Sequence, residues 1–278
     1  MAPQSDILNN VETTSFSENP LNLHHINVDS NSCDIVSQLF YNKQNQLLTD
    51  SLVFFHGQAY PCRSDVISSF SLVLKEKLLN SYHEVHFSQL ESITSDADIF
   101  FRILDYCYGQ PFELTLDNFT IIITISSLLE VTSLTQSIGK IISQGLSESR
   151  RLQMKSEEVL QTIRSNVQQD VLLSFKDKSL TISSLMLICS SEYFKNLFCS
   201  NFADSNERNF SYGEEFTGVS VSNFESFFKY IVGESFDLGM CNVVDFYQLA
   251  VYFKVTKLKE TCNAFVSSLT SAQIYSFY

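Results

Sequence analysis

Apolar residues recur with a helical period at Phe224, Phe227, Phe228 and Ile231, the i, i+3, i+4 and i+7 positions of one helix face. Gly233 follows and predicts the helix end, because glycine enters the left-handed region without steric cost. A second series, Leu249, Phe253, Val255, Leu258, Cys262 and Phe265, predicts a helical hairpin after a short turn. The pattern occurs twice. At a spacing of 124 residues, Phe100, Ile103, Leu104 and Cys107 repeat the first face, and Gly109 falls on Gly233. Ile125, Leu129, Val131, Leu134, Ile138 and Ile141 repeat the second series, with no gap over residues 100–141. Self-similarity at so long a spacing predicts two copies of a domain rather than a solenoid.

The remaining pattern fills in each copy. Residues 1–30, rich in Asn, Ser, Thr and Glu without a period, predict a flexible tail. Asp34 is placed to cap a short helix that turns Ile35, Val36, Leu39 and Phe40 inward. Residues 47–55 and 59–62 predict two strands around a His56-Gly57 turn, and residues 85–87 a third. Between them, residues 65–79 carry a helical stripe: Val66, Ile67, Phe70, Val73, Leu74 and Leu78. In the second copy the strands are predicted at 171–175 and 180–182. A helix capped by Ser183 or Ser184 follows and breaks near Ser190. Phe55 aligns with Phe175 at a spacing of 120, so the second copy holds four extra residues before Phe224, in the segment CSNFADSNERNF. The charged stretch 147–165, with a thin stripe of Val159, Leu160 and Ile163, predicts a helix linking the copies. The expected organisation is therefore a tail over 1–30, one domain over 31–146, a linker helix over 147–168 and a second domain over 169–278.

Composition narrows the function. The chain has 278 residues, 44% hydrophobic, with 24 Phe, enough for two cores. A formal net charge of −13 argues against nucleic acid and against anionic membrane surfaces, both of which select clustered Lys and Arg. Seven cysteines, an odd number without a Cys-x-x-Cys pair, predict a reducing compartment, hence an intracellular protein, cytoplasmic or nuclear. The polar N-terminus predicts no secretory signal, and no apolar run predicts a membrane span.

Enzyme chemistry finds little to stand on. There is no Gly-x-Ser-x-Gly elbow, and Gly139-Lys140 lacks the glycine spacing of a phosphate loop. His83 and His86 alternate along a predicted turn and strand, which places them on opposite faces rather than around a metal. The neighbouring carboxylates Glu157-Glu158 and Glu214-Glu215 read as solvated charge, since acid/base pairs must face one cleft. No catalytic residue, cofactor or metal is expected.

The order of elements resembles the BTB/POZ domain. In the second copy the resemblance is carried by SSEYFKNLF, SNFESFFKYIVG and LAVYFKVTKLKETCNAF, with Tyr230, Gly233, Ala250, Phe253, Leu258 and Cys262 in the family's places. The first copy keeps Tyr106, Gly109 and Leu134. The resemblance implies an α/β (α+β) fold, a small sheet capped by a helical cluster in each copy. It implies a non-enzymatic adaptor or scaffold whose partners are other proteins, a cullin of a ubiquitin ligase or a second copy of the chain among them. The alternatives are a self-assembling protein whose two copies pack as an internal dimer without a ligase role and, more remotely, an enzyme. Ligase adaptors of the family carry a hydrophobic-x-Glu motif after the helix pair. Phe202 and Asp204 occupy that place here, with Asp in place of Glu. They are the protein-binding residues the resemblance implies.

Overall fold

The computed structural model describes residues 25–81, 84–145, 149–199 and 207–269. The first copy opens on β1 (His25–Val28) and α1 (Ser32–Gln44). The hairpin β2 (Ser51–Phe55) and β3 (Gln58–Cys62) turns at His56 and Gly57, both at positive φ as tight hairpin turns require. Next come α2 (Ser64–Phe70) and α3 (Leu72–Asn80), then β4 (Glu84–His86), which lies parallel to β2. The copy ends with α4 (Ala97–Cys107), β5 (Phe112–Leu114), α5 (Phe119–Leu128) and α6 (Thr132–Ser143).

The second copy repeats this order. It runs β6 (Arg150–Leu152), α7 (Ser156–Asn166), β7 (Val171–Phe175), β8 (Lys178–Ile182), α8 (Ser184–Ser190) and α9 (Glu192–Cys199). It continues with β9 (Asn209–Ser211), α10 (Val221–Ile231), β10 (Phe236–Gly239), α11 (Val243–Tyr252) and α12 (Thr256–Ser268). The two three-stranded sheets have the orders β3-β2-β4 and β8-β7-β9. The expected α/β fold, two sheets each capped by helices, is the observed one.

Equivalent side chains do equivalent work in the two copies. The Asp50 carboxylate accepts from the Ser64 amide and hydroxyl, as Asp170 does from Ser184. Asn118 and Asn242 bridge the turns after β5 and β10. Phe55 stacks on Phe100 at 4.4 Å, and Phe175 on Phe224 at 4.3 Å. The stripe over 65–79 is broken into two helices at Ser71, as its counterpart is at Ser191. Each serine hydroxyl donates to a distant carbonyl, Leu129 and Phe253 respectively, and accepts an amide of the following helix, Leu74 and Phe194. Removing such a buried cap orphans both partners, so Ser191→Ala is expected to cost about 1–2 kcal/mol in thermal unfolding.

The copies are interlocked. β1 belongs in sequence to the first copy but pairs antiparallel with β10 of the second, Val28 opposite Phe236. In return β6, at the start of the second copy, pairs with β5 of the first, Leu152 opposite Phe112. α1 packs on α8, α7 packs on α2, and α1 and α7 meet between them. Ile35, Val36, Leu39, Val159, Leu160 and Ile163 from these two helices join one apolar cluster with Leu185, Met186 and Cys189 of α8. This is a pseudo-two-fold exchange of N-terminal strands, completed within one chain.

Three expectations change. The tail does not extend to residue 30, because residues 25–28 form β1 and Asn31 and Ser32 are buried at the start of α1. Asp34 does not cap that helix. Asn31 holds the cap position, and Asp34 sits in the first turn with its carboxylate 2.6 Å from the Lys257 ammonium of α12. The segment expected to link the copies is β6 and α7, the counterparts of β1 and α1. Its stripe of Val159, Leu160 and Ile163 is fully buried.

Candidate partner-binding surface

Phe202 and Asp204 lie outside the described residues, in the stretch between α9 and β9. The surface bordering that stretch is described. α9 offers Tyr193, Leu197 and Phe198, all partly covered, and the Arg208 guanidinium lies 4.8 Å over the Phe198 ring. Beneath them Phe194 is buried, stacked on Phe253 at 5.3 Å. Helix α9 therefore holds its inner face by aromatic packing and leaves an aromatic rim beside the stretch.

The rim continues onto α11. Phe246, Leu249 and Ala250 of this helix are buried. A second apolar stripe, Val244, Tyr247 and Val251 at i, i+3 and i+7, faces outward with exposures of 55%, 38% and 46%. At its end Tyr252 packs against Phe216 at 4.9 Å and Tyr193 at 5.5 Å, which joins the two rims. Glu215, Phe216, Tyr247, Val251 and Tyr252 line a shallow hollow. Burial, then the neighbouring Tyr193, pushes the Tyr252 phenol up to about 12, so it is neutral at physiological pH. Glu214 and Glu215 are exposed at the edge, so carboxylates border the apolar stripe. An exposed apolar strip with a charged border has the makeup of a protein-binding surface.

The first copy lacks this strip. Thr120, Ile123 and Ser127 of α5 stand where Val244, Tyr247 and Val251 stand in α11. The strip went unread in sequence because Phe246, Leu249 and Phe253 already account for a helix. Its signal is the second stripe, out of phase with the first.

His86 stacks on Phe54 at 4.6 Å, and His83 lies outside the described residues. Glu157 and Glu158 are exposed in the first turn of α7, where carboxylates suit the helix N-terminus. Among the described residues no cluster of His, Cys, Asp and Glu is arranged to hold a metal, and no helix is long and apolar enough to cross a membrane. All seven cysteines are unpaired.

Comparison with known proteins agrees with the internal repeat. The sequence model of the BTB/POZ domain matches residues 39–146 and again 160–269. Kelch-like protein 38 of Homo sapiens is 23% identical over 164 residues, 58% of this chain and 28% of that protein. Its Danio rerio namesake is 30% identical over 97 residues, 35% of this chain and 16% of that protein. The chain thus spans less than a third of the length of these curated relatives. Among solved structures, the BTB domain of zebrafish PATZ1 aligns with 41% of this chain and 92% of its own, at 16% identity and a TM-score of 0.36. The BTB domain of human gigaxonin aligns with 41% and 93%, at 16% identity and a TM-score of 0.34.

Proposed function

The chain belongs to the BTB/POZ domain family over both halves, and from that premise we propose that it is a non-enzymatic adaptor whose second copy holds a partner protein, a cullin of a ubiquitin ligase in the first instance. The observation that supports this most is the exposed stripe of Val244, Tyr247 and Val251. It joins, through Tyr252 and Tyr193, the aromatic rim of α9, the helix that precedes Phe202 and Asp204 in the chain, and it has no equivalent in the first copy. Isolated exposed apolar residues need no explanation, but a stripe that continues into an aromatic rim does. Phe202 is the anchor in this reading, and Asp204 a carboxylate one methylene shorter than the Glu of the family's ligase adaptors. The partner segment is an amphipathic helix, apolar towards α11 and basic towards Glu214 and Glu215.

The test uses the full chain and the purified N-terminal domain of a cullin in isothermal titration. Phe202→Ala is expected to leave unfolding within about 0.5 kcal/mol of the parent. It should weaken binding by about 2 kcal/mol or more, on the order of 30-fold. Tyr247→Ala weakens binding in the same direction, Asp204→Ala weakens it, and Asp204→Glu strengthens it. Unchanged affinity in both Phe202→Ala and Tyr247→Ala removes the surface from consideration. A second reading, an internally paired scaffold without a ligase role, is favoured by the reciprocal strand exchange alone. It gains if affinity purification of the full chain retrieves proteins but no cullin.

A further inference from the structure

We infer that the chain is a closed particle. Its first copy stands where a second protomer would stand, so it neither pairs with itself nor exchanges its N-terminal strand with another chain. The first ground is that each exchange site is filled from within. The β10 edge is covered by β1 and the β5 edge by β6, each along the whole length of the receiving strand. An unpaired edge is what recruits a foreign strand, and here neither receiving strand is left open on that side. The helices that follow the exchanged strands are also spent. Ile35, Val36 and Leu39 of α1 and Val159, Leu160 and Ile163 of α7 are all buried.

The second ground is that the halves are matched to each other and not to themselves. α8 offers α1 an apolar face, with Leu185, Met186, Ile188 and Cys189 all buried. Asn42 of α1 is itself fully buried there, its amide 3.9 Å from the Cys189 sulfur. The corresponding positions of α2 are Asp65, Val66, Ser68 and Ser69. α7 ends at Asn166, an exposed counterpart of Asn42, and an open hollow remains between Asn166 and Ser64, Asp65, Ser68 and Ser69. A pairing of two first copies would set α1 against the Asp65 carboxylate and the Ser68 and Ser69 hydroxyls in place of an apolar face, and these groups must then be desolvated. A pairing of two second copies would leave the apolar face of α8 under the shorter α7. The cross-pairing found within the chain sets α1 on the apolar face of α8, at the cost of one buried amide, Asn42, and leaves Asp65, Ser68 and Ser69 of α2 beside the open hollow. Specificity of this kind is a difference between pairings, and both self-pairings lose here.

Closure has a consequence for recruitment that rests on the proposed function. One particle carries one apolar stripe, on α11, where a symmetric pair would carry two. It would therefore hold one partner molecule.

The experiment uses the full chain. Native mass spectrometry and sedimentation over a concentration series are expected to show a single species of 31.7 kDa. Two preparations with different tags, mixed and incubated, are expected to show no mixed species. A stable species of twice that mass, or exchange between the tagged preparations, overturns the inference. Titration with the cullin N-terminal domain then separates the two readings. Saturation at one per chain supports both, and saturation at two overturns the single face. Absence of binding in a chain that remains a monomer sinks the ligase reading while closure stands.

Discussion

Phe228→Ala is expected to lower the unfolding free energy by about 3–5 kcal/mol, the range for removing a buried aromatic ring. Phe228 is 1% exposed and sits in the middle of the second core. Its ring lies 4.9 Å from Phe224, 5.1 Å from Phe227 and 5.3 Å from Phe253. These neighbours come from α10 and from the end of α11 and are themselves fully buried, so they have little room to collapse into the space left behind. The cavity term is then added to the lost transfer energy rather than relieved. The same truncation at Leu79, which is 76% exposed at the end of α3, is expected to stay within about 0.5 kcal/mol. Urea unfolding of the two variants beside the parent decides the matter, and similar losses in both would place the core elsewhere.

That core was legible in sequence for a physical reason. A helix that buries one face must repeat its apolar residues every three or four positions, as Phe224, Phe227, Phe228 and Ile231 do in the second copy and Phe100, Ile103, Leu104 and Cys107 in the first. The spacing of 124 residues carried the architecture further, since Gly109 and Gly233 hold equivalent left-handed positions. What stayed hidden was the exchange between copies. β1 and β6 are four and three residues long, too short to display an alternation. Their partners lie in the other half of the chain, so no local pattern could reveal the pairing. α7 read as a linker because Glu157, Glu158 and Arg164 dominate its outer face, while the three residues that place it in the interior form a narrow stripe. The stripe on α11 was masked by a stronger one on the same helix. The interface residues implied by the resemblance, Phe202 and Asp204, lie outside the described residues. The likeness of position after the helix pair therefore remains their support, together with the aromatic rim on the helix that precedes them in the chain.

Gly233→Ala tests the interlock itself. Gly233 has φ +93°, a conformation in which an L-residue loses about 1–2 kcal/mol. The backbone term is only part of the expected effect. A Cβ there would stand 2.8 Å from Cδ1 of Leu160, 3.5 Å from Oγ of Ser32 and 3.7 Å from Cδ1 of Ile35. Leu160 is 1% exposed between the two copies, so its Cδ1 must shift within a packed helix pair to admit the new carbon. Overpacking of this kind costs about 1–3 kcal/mol, for an expected total of about 2–5 kcal/mol. Gly145→Ala is the control. Its φ is +85°, but no atom lies within 4 Å of the added carbon, so only the backbone term applies. If α1, α7 and the β10 region form one contact, Gly233→Ala combined with Leu160→Ala should cost measurably less than the sum of the two single changes. Neighbours that share a contact couple by about 0.5–3 kcal/mol. Equal losses for Gly233→Ala and Gly145→Ala, or strict additivity with Leu160→Ala, would show that the close approach of Gly233 to the helix pair is not what the fold depends on.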